Sequence, residues 1–279
     1  MSHPEQTPLY SAIAEATQSA LRKAEIELPR DIMRRLAHAA RTETNPTARA
    51  ELENILANIS EAAARNVPIC QDTGVPVIYL TLPEGMAYTS HMGDAVAEGV
   101  RAATAAIPLR PNVVDPLSRA NTGNNCGRGM PAIHVRHGDA CDVTVLPKGA
   151  GSENVSRIGM LLPSEKDAIG RFVAETMLRA GGKPCPPVVL GVGIGSTFDG
   201  AAALAKEALL QPVDEMTDYE QELCDAINSL GIGPMGLGGD TTALAVKVRR
   251  GDCHTASLPV AVNVQCWACR RATEKVIVP

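Results

Sequence analysis

Aromatic residues are scarce in this chain: one Trp, two Phe and four Tyr among 279 residues, or 3%. With so few rings, the 45% of hydrophobic residues must build a core mainly from Ala, Val, Leu and Ile. Basic excess is also missing. Lys and Arg number 26 against 31 Asp and Glu, for a formal charge of −5 and a pI of about 5.7, which argues against nucleic acid as the main partner. No apolar run approaches the ~20 residues that a membrane-spanning helix needs. The opening Met-Ser-His-Pro-Glu-Gln-Thr-Pro has neither the basic start nor the apolar stretch of a signal peptide, so a soluble cytoplasmic protein is expected. No internal repeat, low-complexity tract or linker interrupts the chain, and a single domain over 1–279 is the expectation.

Against these absences stand eight cysteines. In a reducing compartment they are not expected to pair, which leaves metal binding, catalysis or plain packing. Three of them sit in loop-like stretches rich in Pro and Gly: Cys70 in Pro-Ile-Cys-Gln-Asp-Thr-Gly, Cys185 in Pro-Cys-Pro-Pro, and Cys266 after Val-Asn-Val-Gln. Three thiolates suit an iron–sulfur cluster in which one iron keeps a position open for substrate. Cys141 alternates with Val143 and Val145, and Cys224 adjoins Leu223 one turn before Ile227, so both read as core. Cys253 reads as a bystander. Cys126 lies in a loop and has a ligand reading as well as an inert one. Cys266 and Cys269 form a C-x-x-C pair, which with His254 leaves a zinc reading open. Local context alone does not choose among these sets.

The texture of the chain changes near residue 67. Before it, apolar stripes at helical spacing (Leu9, Ile13, Ala16, Ala20; Ile32, Met33, Leu36, Ala40; Leu52, Ile55, Leu56, Ile59) predict three helices. Asn45 and Pro46 form a cap and first-turn pair for the third, and Pro68 requires that it end near Arg65 and Asn66. From 67 to 279, short β-branched runs predict strands at Val77–Leu82, Ala132–His137, Cys141–Leu146, Val188–Ile194, Thr242–Val248 and Val260–Val264. Helices are predicted after Ser164, stopping at Gly181, over Ala201–Leu210, and through Leu223, Ile227 and Leu230. The fold class is therefore α/β, a mixed sheet with flanking helices behind a helical N-terminal part over 1–66.

Two glycine-rich runs invite nucleotide readings and fail them. In Lys148-Gly149-Ala150-Gly151-Ser152 the lysine precedes the glycines, whereas a P-loop places it after them. The run still suits backbone amides brought close to an anion. Gly191, Gly193 and Gly195 lack the third glycine of a dinucleotide fingerprint, since Ser196 takes its place. They read better as a strand packed closely against another backbone.

Whole phrases in order carry more weight than any single motif. Pro-Ile-Cys-Gln-Asp-Thr-Gly at 68–74, Asn-Thr-Gly-Asn-Asn at 121–125, Pro-Lys-Gly-Ala-Gly-Ser-Glu-Asn at 147–154, Cys-Pro-Pro at 185–187 with Gly-Val-Gly-Ile-Gly at 191–195, and His-Thr-Ala-Ser-Leu-Pro-Val-Ala-Val-Asn-Val-Gln-Cys at 254–266 together resemble the α subunit, or N-terminal half, of the iron–sulfur fumarate hydratase and L-tartrate dehydratase family. The resemblance covers roughly residues 9 to 270. It implies a [4Fe–4S] cluster on Cys70, Cys185 and Cys266, with one iron open to substrate, and it gives no ligand role to Cys126 or Cys269.

Dehydrating a 2-hydroxy dicarboxylate breaks a C–O bond to a poor leaving group and takes a proton from a weakly acidic carbon, so it needs an electrophile, a base and cationic clamps. Asp72, two residues from Cys70, is the acid/base candidate; its plainer role is an Asx-turn with Thr73 and Gly74. Gln71, Arg110 and His254 are the substrate-binding candidates that the resemblance supports, and Gly149 and Gly151 join them as a loop able to bring backbone amides to an anion; an ordinary surface arginine and a structural histidine are the bland alternatives. Only Arg110 offers a persuasive carboxylate clamp, and the chain stops soon after Cys266. A separate β subunit completing the site, in an α2β2 assembly, is therefore expected. Malate to fumarate is the favoured reaction, L-tartrate dehydration the alternative, and a non-catalytic iron–sulfur scaffold or sensor the competing class.

Overall fold

The computed structural model describes residues 8–277; residues 1–7 and 278–279 lie outside the described part. The chain divides into two compact units. The first comprises Met1–Pro29, Glu61–Lys148 and Arg270–Pro279, the second Arg30–Ser60 and Gly149–Cys269.

The first unit is built on a four-stranded sheet in the order β2-β1-β3-β8, from β1 (Val75–Pro83), β2 (Ala132–Gly138), β3 (Asp142–Lys148) and β8 (Ala272–Lys275). β1 runs parallel to β2 and antiparallel to β3. Helices α1 (Pro8–Ile26) and α4 (Ser90–Ala106) pack on each other. Their Ile13, Ala16, Ala20, Val96 and Val100 close over Ile78, Leu80, Val143 and Val145 of the sheet. Among the described residues this cluster has no aromatic fully buried, while Tyr79 of β1 is buried outside it.

The second unit has a sheet in the order β4-β7-β5-β6, from β4 (Arg157–Leu161), β5 (Val188–Gly195), β6 (Ala243–Gly251) and β7 (Leu258–Gln265). Only β5 and β6 are parallel; β7 runs against both β5 and β4. Helices α6 (Ile169–Ala180) and α8 (Asp218–Asn228) bury Val173, Met177, Leu223 and Ile227 against Val188, Leu190, Val262 and Val264. Helix α7 (Phe198–Ala208) lies directly on β5. A Cβ on Gly191 would stand 2.0 Å from the Ala205 carbonyl oxygen, and one on Gly193 2.1 Å from that of Ala201. The glycine run is therefore a close approach of strand to helix and not a nucleotide loop. Helix α2 (Arg30–Thr42) belongs to this unit, and α3 (Pro46–Arg65) passes from it into the first.

Local chemistry sets several of these boundaries as expected. Asn45 Oδ1 accepts from the amides of Thr47 and Ala48 at the start of α3, and the helix stops at Asn66, which turns left-handed at φ 57°. Gly181 likewise ends α6. The helix predicted from Ser164 begins instead as a 3-10 turn, Pro163–Ala168, and α6 proper starts at Ile169. The sequence reading did not identify α4, β4 or β8.

Candidate active site

In the first unit the Cys70 loop runs into the start of β1, and the long loop 107–131 returns to the start of the parallel strand β2. Both loops therefore occupy one end of the sheet. A small set of polar side chains sews them together. Thr73 Oγ1 accepts from the Arg110 amide at 3.1 Å, and Asn112 Nδ2 donates to the Gly74 carbonyl at 2.8 Å. Asn125, only 3% exposed, accepts from the Asn112 amide at 2.7 Å and donates to the Arg110 carbonyl at 3.1 Å. Asn121 Nδ2 donates to the Pro111 carbonyl at 2.7 Å. The phrase Asn-Thr-Gly-Asn-Asn thus has a physical function, which is to hold the Arg110 loop beside the Cys70 loop.

Gly74 completes the join. Its φ of +70° and a would-be Cβ 2.6 Å from the Lys148 carbonyl carbon leave room for no other residue. Asp72 Oδ1 accepts from the Gly74 amide at 3.0 Å, so the Asx-turn is real and fixes the carboxylate's direction. Cys70 is half-buried and its Sγ lies 3.4 Å from Gln71 Oε1. Gln71 and Arg110 are exposed. A thiol, a carboxylate and a guanidinium therefore project from one braced frame.

In the second unit, antiparallel pairing of β5 with β7 sets Val189 opposite Gln265. This brings Cys185, just ahead of β5, and Cys266, just after β7, to the same end of the sheet. The Trp267 amide donates to the Cys185 carbonyl at 3.3 Å. Cys185 adopts φ 54°, a left-handed conformation costly for a non-glycine residue and one that concentrates at functional sites. The Met235 amide donates to the neighbouring Pro186 carbonyl at 2.8 Å, and the buried Glu43 carboxylate accepts from the amides of Asp240 and Thr241 further along the same loop.

Gly149 caps the short helix α5 (Ala150–Glu153), and a Cβ on Gly151 would stand 3.4 Å from the Lys183 carbonyl oxygen, beside the Cys185 loop. The amides of that first turn precede its first i→i−4 bond. Two residues that the sequence reading passed over fix the turn in place. Glu153 accepts from Asn263 Nδ2 of β7 at 2.9 Å and pairs with Lys206, while Ser156 Oγ accepts from the Val264 amide at 3.0 Å. Glu153 and its partner Asn263 belong to motif phrases, which was the available signal, whereas Ser156 lies just outside them.

His254 is exposed and lies before β7, at the opposite end of that strand from Cys266. Eight extended residues put roughly 24 Å between the two ends. The structure therefore does not bring His254 beside Cys185 and Cys266 within one chain. The zinc reading loses its ligand set by the same geometry. Cys269 is fully buried.

Cys126, Cys141, Cys224 and Cys269 pack against the interior, while Cys253 is exposed. Burial pushes the Cys224 thiol up to about 11 and raises those of Cys126 and Cys141 as well. All three are thereby held away from the thiolate form that ligation needs. Cys126 packs against the first unit's core with its Sγ 3.3 Å from the Ala97 carbonyl oxygen. Cys70, Cys185 and Cys266 are half-buried thiols carried on loops beside strand ends.

Comparison with known proteins gives a consistent answer. A family model described as Fumarate hydratase (Fumerase) matches residues 14–275. A protein of Methanocaldococcus jannaschii named "Putative L(+)-tartrate dehydratase subunit alpha" is 44% identical over 277 residues, covering 95% of this chain and 97% of the relative. The protein named L(+)-tartrate dehydratase subunit alpha from Escherichia coli (strain UTI89 / UPEC) is 31% identical over 259 residues, covering 89% of this chain and 86% of the relative. Its namesake from strain K12 is 30% identical over 256 residues, 88% of this chain and 84% of that one.

Proposed function

The chain belongs to the fumarate hydratase family of hydro-lyases as an alpha-type subunit, and from that premise we propose that it removes water reversibly from a 2-hydroxy dicarboxylate, with malate to fumarate as the favoured reaction. The observation that carries this reading is the frame in the first unit, where Thr73, Asn112 and Asn125 hold the Cys70–Asp72 loop against the Arg110 loop. Membership in a hydro-lyase family sets aside the scaffold or sensor reading.

Cys70, Cys185 and Cys266 are the residues that would hold a [4Fe–4S] cluster. Their soft donors, loop settings and partial burial suit it. When bound, the cluster supplies an electrophilic iron at the substrate's hydroxyl without net electron transfer. Asp72 takes the proton from the carbon beside the one bearing the hydroxyl and returns it in the reverse direction. Its Asx-turn keeps the carboxylate from swinging away. Arg110 clamps one carboxylate through two parallel N–H···O bonds, and Gln71 donates its amide to the same end. Gly149 and Gly151 supply backbone amides to an anion.

His254 lies a strand's length from Cys266, so it reaches a substrate held there only from a second copy of the chain. An α2β2 assembly supplies that copy. A dicarboxylate also needs a second cationic clamp, which we assign to a β subunit; the printed names "subunit alpha" of the relatives support one. The cytoplasm, which keeps thiols reduced, suits eight cysteines without a disulfide role. The printed names also favour a second reading, L-tartrate as substrate. The two differ by one hydroxyl, which needs a polar partner in the pocket.

Co-expression with a β subunit, anaerobic purification and assays on malate, fumarate, L-tartrate and mesaconate test the proposal. Turnover of malate and fumarate by the pair, with almost none from the isolated chain, is the expected result. Full activity of the isolated chain removes the β subunit from the account, and turnover of L-tartrate alone transfers it to the second reading.

A further inference from the structure

An ion pair lies buried under the Cys70 loop and has no part in the reaction as described so far. Glu25, the penultimate residue of α1, is 0% exposed and Arg270 is 1% exposed. Arg270 Nη1 donates to Glu25 Oε2 at 2.6 Å. Arg270 Nη2 donates to the Asp72 backbone carbonyl at 2.9 Å. From the other side, the Glu25 backbone carbonyl accepts from the Ile69 amide at 2.9 Å. The pair therefore grips the loop at residue 69 and at residue 72, immediately before and two residues after Cys70. All of these groups lie within the first unit.

Such an arrangement is a poor way to gain stability alone. Taking both charges out of water costs several kcal/mol per ion, and well-packed apolar residues often do as well or better. What the ion pair offers is direction. A guanidinium donates through a rigid planar fork, so fixing one arm on Glu25 fixes where the other arm places the Asp72 carbonyl. The peptide at 72 in turn carries the side chain proposed to move the proton. Cα-to-carboxyl geometry then transmits any displacement of that carbonyl to the reacting atom. Lysine, with one compact ammonium on a flexible stem, cannot hold both acceptors in the same fixed relation.

We propose that Arg270, oriented by Glu25, is a positioning residue that sets the Asp72 carboxylate and the Cys70 thiol in their working places. The inference rests on the hydro-lyase reading above, with Asp72 as acid/base and Cys70 as cluster ligand. It concerns residues that touch neither substrate nor cluster.

The test uses Arg270→Lys and Glu25→Gln in the complete α–β enzyme, prepared anaerobically. Iron and sulfide per chain, thermal unfolding, kcat and KM, and the change that dicarboxylate makes in the electron paramagnetic resonance of the dithionite-reduced cluster are all measured. For Arg270→Lys, iron and sulfide are expected at the wild-type level and KM within about twofold, while kcat falls about 100-fold, the scale of an ångström-level misplacement. The substrate-induced spectrum is expected to broaden or shift. Glu25→Gln keeps the shape and one acceptor and is expected to lose less, about tenfold. A kcat within twofold of wild type in both variants overturns the inference, as does a loss of kcat that only follows lost cluster or lost fold. If Arg270→Lys does not fold, Glu25→Gln decides by the same measures. A wild-type enzyme that holds no cluster or turns over no dicarboxylate contradicts the underlying reading itself, a result distinct from active wild type with unaffected variants.

Discussion

One substitution separates the Asx-turn that Asp72 makes from the acid/base role proposed for it. An asparagine there keeps the Asx-turn to the Gly74 amide but cannot accept a proton. Asp72→Asn is expected to melt within a few degrees of wild type and to lose about 100-fold or more in kcat, as removal of a general base does. Equal kcat values would return Asp72 to a purely structural role. Asn125 presents the opposite case, a residue with no chemistry whose loss damages the site. It joins Asn112, Arg110 and Thr104, is buried, and sits at φ 59°, where asparagine is among the few side chains tolerated. Asn125→Ala is expected to cost about 3 kcal/mol in denaturant unfolding, from lost hydrogen bonds and backbone strain, and to raise KM more than it lowers kcat, because Arg110 loses its register. The Asx-turn at 72 was readable from Asp-Thr-Gly, since it needs only neighbours along the chain. The bonds from Asn112 to Gly74 and from Arg270 to Asp72 were not, because they join residues 38 and 198 positions apart.

Elements were legible where large apolar residues recur and obscure where small ones do the packing. The stripes of α1, α2 and α3 and the β-branched runs of β1, β5 and β7 mark themselves. In α4, Met92, Val96, Val100 and Ala103 do repeat at helical spacing, but Gly93 and Gly99 dilute the pattern. β8 is a four-residue edge strand, Ala-Thr-Glu-Lys, with no apolar face to read. The glycines of β5 show how small residues replace rings in this protein, by letting α7 come down onto the strand. Gly191→Ala or Gly193→Ala drives a methyl group to about 2 Å from a helix carbonyl oxygen. Either is expected to destabilise the chain by about 3 kcal/mol, the upper range for overpacking, as measured by denaturant midpoint. A midpoint unchanged in both variants would show that α7 does not rest on β5.

At the scale of the whole molecule, Glu25 links stability to pH. Burial pushes its carboxyl up from 4.5 to about 7, against the pull of the Arg270 guanidinium. A raised folded-state value means that the folded protein holds the proton more tightly than the unfolded chain. That contribution is complete below about 4.5 and is lost as pH rises through about 7. Relative to Glu25→Gln, wild type is therefore expected to be more stable at pH 5 than at pH 8, by a difference on the order of 3 kcal/mol. Equal differences at the two pH values would remove Glu25 from the linkage. The division into two units was not legible in the sequence. Four chain crossings, at 29/30, 60/61, 148/149 and 269/270, interleave the units along the chain, and no compositional break marks any of them. The helical stretch 1–66 accordingly does not stand as a unit of its own; α1 and α2 belong to different ones.

Everything proposed for the site depends on Cys70, Cys185 and Cys266 holding one cluster at which the acid/base and clamp residues work. The most direct measurement is iron and acid-labile sulfide per chain in the anaerobic α–β enzyme, for single serine substitutions at each of these three positions and, as controls, at Cys126 and Cys269. About four irons and four sulfides are expected in wild type and in both controls, with a collapse of both numbers in each of the three ligand variants. Undiminished iron and sulfide after loss of Cys70, Cys185 or Cys266 would contradict this assignment.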